Sequence, residues 1–407
     1  MPKLEDYISI VGQSIIDDLK LLSEKLKGRI IQNINSTSVG GGVAEILNRS
    51  VPLLRELGID AKWEVIKGGE SFFKVTKKFH NALHGREEEI TFKDFNIFME
   101  TSQRNIEDMK LYGDVIFVHD PQPIALIRNK SKIPNSKWLW RCHIDVSNPN
   151  MRVWNFLKEF IVQYEASVFS SPNFAQRLPI RQFLISPSID PLSDKNRELP
   201  QEIIDEVLKK YGVSQDKPII TQVSRFDYLK DPVGVIEAYR QVKKYVNCQL
   251  ILAGGTATDD PESEEVLNRV KEAKGKDRDI HILLLPPGSD IEINALQRAS
   301  TVVIQKSIRE GFGLTVTEAL WKAKPVVAQS VGGIPLQIKH KYSGLLCHSI
   351  DGAAFAIKQL LNSPAYAKKL GENGREHIRQ NFLLTRHLRD YMLLFLSMYH
   401  NEDIVYL

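Results

Sequence analysis

Two glutamates, Glu310 and Glu318, stand eight positions apart in the stretch Arg309-Glu310-Gly311-Phe312-Gly313-Leu314-Thr315-Val316-Thr317-Glu318. Charges that only solubilise a helix sit three or four residues from a lysine partner. This spacing, around a Gly-Phe-Gly and directly after the apolar run 301–305, suits another task. Gly311 and Gly313 let the backbone expose N–H groups where a helix beginning near Leu314 presents its unpaired donors. Glu310 then lies in the loop and Glu318 about one turn into the helix, so the two carboxylates reach different parts of one long ligand. A carboxylate accepts two hydrogen bonds from a vicinal diol, which suits a ribose at Glu318 and a hexose at Glu310. By spacing alone two solvated glutamates fit as well, and a second cluster weighs against them.

That cluster is VSRFDYLKDP, residues 223–232. Arg225 and Lys230 lie in a loop that leaves an apolar, strand-like run. Arginine supplies a planar fork of donors and lysine a point charge, a pair suited to a diphosphate leaving group. Asp231 and Pro232 then start the next helix. Earlier in the chain Gly40, Gly41 and Gly42 open a helical pattern with Val43, Ile46, Leu47, Val51, Leu54 and Leu57 inward and a kink expected at Pro52. The glycines serve either a plain turn or a close backbone approach to a ligand. They form neither G-x-G-x-x-G nor GK[ST], so dinucleotide and P-loop readings fail. Two strand exits, 115–123 and 138–150, carry His119, Asp120, Arg141, His143 and Asp145, which either line a binding wall or serve the fold.

The elements that must position these residues follow from hydrophobic pattern. Short apolar runs at 29–35, 61–66, 114–119, 137–145, 167–171 and 182–186 alternate with helical patterns, and a second series runs through 217–224, 247–255, 279–285, 301–305 and 324–330. Such alternation predicts βα units and parallel sheets. The segment 186–200, with three prolines and several serines and aspartates, marks a boundary. The expected fold class is α/β, with two Rossmann-like domains facing each other across a cleft, because open parallel sheets bind ligands outside the carboxyl ends of their strands. Residues 1–28 read as an N-terminal helical extension, 29–190 as the first domain and 191–383 as the second, with a final helix in 384–407 packing back on the first.

Composition narrows the function classes. The chain has 407 residues and a net charge of +4 from 54 basic and 50 acidic residues, mild and well mixed. No focused basic stripe with aromatics points to nucleic acid, and Lys74, Lys77 and Lys78 read as a solvated helix face. No run approaches the roughly 18–20 apolar residues of a membrane span, and the N-terminus lacks a signal-peptide pattern, so a cytoplasmic protein is the simplest expectation. Cys142, Cys248 and Cys347 lie far apart and read as buried small hydrophobes rather than a metal or disulfide set. No D-x-D clamp stands on the expected donor loop, so no metal site is assigned.

These residues resemble the retaining glycosyltransferases of the GT-B fold, family 4, over about residues 29–383, through RFDYLKDP, EGFGLTVTE, GGGVAEIL and SIDPLS. More narrowly, WRCHIDVSNPN, SPSIDPLSDKN and EGFGLTVTEALWKAKPVV are similar to trehalose phosphorylases and to the trehalose glycosyltransferring synthases, and the chain is identified with the latter. The resemblance implies transfer of glucose from an NDP-glucose to glucose, giving α,α-trehalose and NDP, reversibly and with retention. It implies Arg225 and Lys230 on the diphosphate, Glu318 on the ribose and Glu310 on the hydroxyls of the transferred sugar. Gly311, Phe312, Gly313, Leu314 and Thr315 would hold phosphate and sugar, and Gly332 and Gly333 fit the donor-side loop. His143 would lie beside the donor glucose, with Gly41, Gly42, Asp120 and Asp145 on the acceptor side. Ser224 departs from the family, where many members have glycine before the arginine. No tightly bound cofactor is implied, ADP-, UDP- and GDP-glucose stay open as donors, Mg2+ is not implied by a motif, and a homodimer is compatible. Three rival readings stay in play: a trehalose phosphorylase, in which Glu318 has no ribose to hold, an NDP-sugar epimerase, and a catalytically silent sugar-nucleotide binding protein.

Overall fold

The computed structural model describes residues 2–38, 41–255 and 261–400. Its alternating apolar runs form two six-stranded sheets in which every pairing is parallel. The first sheet contains β1 (Ile30–Asn35), β2 (Asp60–Val65), β3 (Val115–His119), β4 (Lys137–Cys142), β5 (Ala166–Phe169) and β6 (Arg181–Leu184), in the order β2-β1-β3-β4-β5-β6. The second contains β7 (Ile219–Val223), β8 (Gln249–Gly254), β9 (Ile280–Leu284), β10 (Val302–Gln305), β11 (Val326–Gln329) and β12 (Leu345–Cys347), in the order β12-β11-β10-β7-β8-β9. Strands β3, β5, β7, β8 and β10 are buried at every position, as expected for sheets covered by helices on both faces.

The chain divides into two compact units, Met1–Pro187 with Leu384–Leu407, and Ser188–Leu383. Each sheet has one place where strand order reverses. In the first unit the chain lays β2 on one side of β1 and then β3 on the other. In the second it lays β8 and β9 on one side of β7 and returns with β10 on the other. At such a switch point the loops leaving two adjacent strands turn to opposite faces, which opens a crevice at their carboxyl ends. The loops after β1 and β3 flank one crevice, and those after β7 and β10 flank the other.

Eleven of the twelve strands coincide with apolar runs visible in the sequence. The exception is β12, three residues between Gly344 and His348, too short to show a period. The N-terminus also differs from one continuous helix. A 3-10 turn at Leu4–Tyr7 leads into a helical turn Ile8–Val11, and Gly12 with φ of 88° breaks it before the helix Gln13–Lys25. Ile16 and Leu19 are fully buried, and this helix packs on Leu384–Ser397, so the segment is a layer of the first unit rather than an appendage. The Leu384–Ser397 helix in turn covers the sheet, where Phe117 meets Tyr391 and Phe395 edge-on at 5.1 and 5.6 Å. The opposite face is filled by Phe72, Phe79, Phe98, Trp138, Trp140 and Phe160. The helix Gly41–Glu56 runs on through Pro52, and Gly40 of the glycine loop lies outside the described residues. No helix among the described residues is long and apolar enough to cross a membrane.

Ser224, the departure from the family's glycine, is accommodated because its backbone stays out of the left-handed region. The crowding falls instead on Gly254 at the end of β8, where an added Cβ would stand 1.8 Å from the Ser224 carbonyl oxygen. Gly254→Ala should therefore lower stability by about 1–3 kcal/mol through displacement of the 224–231 loop. Urea midpoints of the two proteins check this, and equal midpoints would contradict the close approach.

Candidate active site

In the second unit the loops after β7 and β10 are stitched together. Asp227 starts the first loop's short turn by accepting from the Leu229 N–H at 2.8 Å. Asp231 follows in a left-handed conformation with φ of 48°. One of its oxygens caps the helix Pro232–Lys243 through the Gly234 N–H at 3.1 Å, and the other takes the ammonium of Lys306, just past β10. The Ile308 N–H donates to the Leu229 carbonyl at 2.8 Å. This stitching brings together residues far apart in sequence. Lys230 Nζ lies 2.8 and 2.7 Å from the two carboxylate oxygens of Glu310, and Ser307 Oγ donates to Glu310 Oε2 at 3.0 Å. Lys306 and Ser307 were not singled out from sequence, because their roles depend on which loop lies beside them.

The Gly-Phe-Gly behind Glu310 is shaped by a third loop. Gly313, with φ of 82°, caps the helix Leu314–Trp321. Gly332, with φ of 55°, presses so closely on Glu310 that a Cβ there would stand 1.8 Å from the Glu310 carbonyl oxygen. The Gly333 N–H donates to the Gly311 carbonyl at 2.8 Å, and Gln337 Nε2 donates to the Phe312 carbonyl. The Phe312 ring is buried against Phe382 at 5.5 Å, so it anchors the loop. Leu314 and Thr315 are half-buried at the helix start, with Thr315 Oγ1 3.5 Å from Gln305 Oε1. Glu318 is buried at 4% exposure in the middle of that helix. Arg225 stands apart from the Lys230–Glu310 pair, about half exposed, with Nη2 3.4 Å from Asp227.

In the first unit Asp120 ends β3 with φ of 66°, a conformation unusual for a non-glycine residue. Three hydrogen bonds hold it. Its N–H donates to the Arg141 carbonyl at 2.7 Å, its carbonyl accepts from Trp140 Nε1 at 3.0 Å, and Oδ1 accepts from the His143 N–H at 2.8 Å. Burial pushes its carboxyl up to about 6, against the smaller opposing effects of the His143 N–H and the Arg141 charge. His119 Nδ1 lies 3.2 Å from His143 Nε2, and His119 Nε2 lies 3.3 Å from Asn33 Oδ1. Burial, reinforced by Arg141, brings His119 down to about 3 and His143 well below its ordinary value, so both rings are neutral at pH 7. Asn33 was missed from sequence because an amide inside a strand carries no local signal. Asp145 is buried and caps its own turn through the Ser147 N–H at 2.9 Å. Gly41 and Gly42 begin the helix after β1. Among the described residues no group of three or more His, Cys, Asp or Glu is arranged to hold a metal ion.

Two outcomes follow from this geometry. A double-mutant cycle of Lys230→Ala and Glu310→Ala, read by urea unfolding, should give a coupling of about 1–3 kcal/mol, since either single change strands a partly buried charge. Additive effects would show that the pair is not formed. For Asp120, a carboxyl raised in the folded state favours the protonated form, so folding loses stability as pH rises from the ordinary range near 3.8 through about 6. Asp120→Asn keeps the acceptor for His143 and removes that loss. The variant should gain about 2–3 kcal/mol on wild type between pH 4 and 7.5, while the buried histidines, common to both proteins, cancel. A constant difference across that range would refute the raised carboxyl.

Two family models match the chain, "Trehalose synthase, N-terminal domain" over residues 33–176 and "Glycosyl transferases group 1" over residues 203–377. The trehalose synthase of Pyrococcus horikoshii is 46% identical over 396 residues, covering 96% of this chain and 95% of that one. That of Rubrobacter xylanophilus is 45% identical over 402 residues, covering 96% of each. A trehalose phosphorylase of Grifola frondosa is 28% identical, with only 58% of its length covered. Among solved structures, the sucrose-phosphate synthase of Thermosynechococcus elongatus superposes with a TM-score of 0.71 at 17% identity, covering 92% of this chain and all of that one, a likeness of fold. The paired parallel sheets have the GT-B fold, and with relatives of this identity matched over nearly their whole length, the chain belongs to the trehalose synthase family of glycosyltransferases.

Proposed function

We propose that this protein is a retaining glucosyltransferase that forms α,α-trehalose reversibly from an NDP-glucose and glucose. The observation that carries the reading is the Lys230–Glu310 pair at the switch point of the second unit, with Arg225 on the same loop as Lys230. A diphosphate needs cations where charge builds as it departs, and a sugar needs a carboxylate to accept its hydroxyl hydrogens. Before the donor arrives Glu310 compensates Lys230, and the diphosphate then takes up part of that cation's field. In this reading Ser188–Leu383 takes the donor, with Glu318 on the ribose and the Gly311–Leu314 backbone on phosphate and sugar. The first unit takes the acceptor through Asp120, Asp145 and the Gly41–Gly42 turn, with His143 toward the donor glucose.

In the transfer the acceptor hydroxyl oxygen bonds to the anomeric carbon as the bond from that carbon to the phosphate oxygen breaks. The departing phosphate oxygen takes the hydroxyl proton, so no protein nucleophile is required. Arg225 and Lys230 do the charge work on the diphosphate, and no motif demands a metal. The three cysteines are buried and free, which fits a reducing, cytoplasmic setting.

Incubating the protein with glucose and, separately, ADP-, UDP- and GDP-glucose in phosphate-free buffer should yield an α,α-linked disaccharide by NMR, with NDP released in equal amount. Disaccharide that forms only from glucose 1-phosphate would establish a phosphorylase instead. Conversion of an NDP-sugar without acceptor would establish an epimerase, and binding without turnover a silent protein. Arg225→Ala should cut turnover about 100- to 1000-fold, the usual loss for a contact that stabilises developing charge. An unchanged turnover would remove Arg225 from the diphosphate.

A further inference from the structure

One buried cation has no part in the roles assigned so far. Lys322 follows the helix Leu314–Trp321 and is only 5% exposed. Its Nζ donates to the Glu318 carbonyl and to Asn196 Oδ1, both at 3.1 Å. Asn196, itself buried, passes the contact on, with Nδ2 donating to the Asp190 carbonyl at 3.0 Å and lying 3.1 Å from Ser193 Oγ. Asp190 Oδ1 accepts from the Leu192 N–H at 3.0 Å, and Ser193 Oγ donates to the Asp190 carbonyl at 2.8 Å. The segment is also fixed from the other side. Asn294 Nδ2 donates to the Asp194 and Arg197 carbonyls, both at 2.8 Å, and Arg298 Nη2 to the Arg197 carbonyl at 2.9 Å. The proline-rich stretch that reads in sequence as a boundary is therefore a rigid brace against the helix that carries Glu318.

Burying an ammonium costs free energy that an apolar residue would avoid, and the end of a helix can be capped without one. Lys322 stands four residues from Glu318, one helical turn away, and attraction to that carboxylate favours its charged form. The other charges that face it are Glu198, which helps, and Arg298 and Lys195, which oppose. Burial is the largest influence and brings the amine down to about 7, so the cation survives near neutrality only with such support. Glu318, at 4% exposure, therefore has a cation one turn below it that is tied to its own backbone carbonyl and to the 190–196 segment.

We propose that Lys322 and Asn196 are positioning residues for the donor nucleotide, holding the Glu318 carboxylate in the place where it accepts hydrogen bonds from the ribose diol. The inference rests on the assignment of Glu318 to the ribose. Lys322 touches no substrate and acts through Glu318, with the 190–196 brace acting through Lys322.

The test uses the NDP-glucose that the wild type turns over best and its 2′,3′-dideoxyribose analogue, assayed on wild type, Lys322→Met and Asn196→Ala. Wild type should prefer the full donor by about 100-fold in kcat/KM, the size of hydrogen bonds to a charged acceptor. Each variant should raise KM for the full donor about tenfold with little change in kcat, and should bring the preference over the analogue down to about tenfold. A merely structural role would lower use of both donors alike and leave the preference intact. If wild type shows no preference, the ribose assignment of Glu318 is wrong. If wild type discriminates and both variants discriminate as strongly, the positioning role is overturned while the ribose assignment stands. Should Lys322→Met be recovered only unfolded, Asn196→Ala, which keeps the lysine and its helix contact, decides the question.

Discussion

The contact around which the second unit's switch point is organised is that between Lys230 and Glu310. These residues lie 80 positions apart, on loops leaving β7 and β10, strands that are neighbours only because the chain reverses direction across the sheet. Two partly buried charges repay their desolvation only if their geometry is held without further cost. The supports are therefore as informative as the pair. Asp231 binds Lys306, the Leu229 carbonyl receives the Ile308 N–H, and Ser307 holds one Glu310 oxygen. The first two supports join the two loops and the third fixes Glu310 within its own loop, so the pair is preorganised, which is the condition under which charges act most strongly on a reacting group.

Both switch points also hold a strained aspartate. Asp120 and Asp231 have positive φ, of 66° and 48°, at or near the carboxyl ends of central strands, and each is fixed by several hydrogen bonds. Such a conformation costs of order 1 kcal/mol and persists only where the surroundings over-determine it. The two serve different ends. Asp231 spends its oxygens on a helix cap and on Lys306, so its strain sets the path of the loop that carries Lys230. Asp120 spends one oxygen on the His143 backbone N–H, so its strain ties the end of β3 to the turn that follows β4.

What was legible in the sequence follows from what is local. The placement of Glu310 in a loop and of Glu318 inside the helix that follows could be read because both are set within ten residues around one Gly-Phe-Gly. Strands could be read because buried parallel strands leave continuous apolar runs. The direct bond between Lys230 and Glu310 was not legible, since nothing near either residue says that β7 and β10 are adjacent. Lys322 sits in a stretch, Leu320-Trp321-Lys322-Ala323-Lys324, whose alternation of apolar and basic residues resembles a helix end at the surface, and only the fold shows it buried. Asn196 was hidden in the same way inside a segment whose prolines speak only of a boundary. How Ser224 stands where many family members have glycine was not legible either, since the close approach at its carbonyl involves Gly254 on the neighbouring strand.

The proposed transfer separates charge, and the electrostatics of each unit bear on it. As the bond to the diphosphate breaks, negative charge gathers on phosphate oxygen and positive charge on the sugar's anomeric carbon. Cations help the first and harm the second. In the second unit the cations proposed for the diphosphate stand on one loop, Lys230 little exposed and Arg225 half exposed. The first unit reaches the opposite character by burial. His119 and His143 stay neutral because desolvation and Arg141 oppose their protonation, and they bond to each other and to Asn33 without adding charge. Imidazoles kept neutral can still donate to or accept from sugar hydroxyls. An exposed histidine pair would gain protons as pH falls, so in the proposed assignment the burial of these rings keeps positive charge away from the sugar.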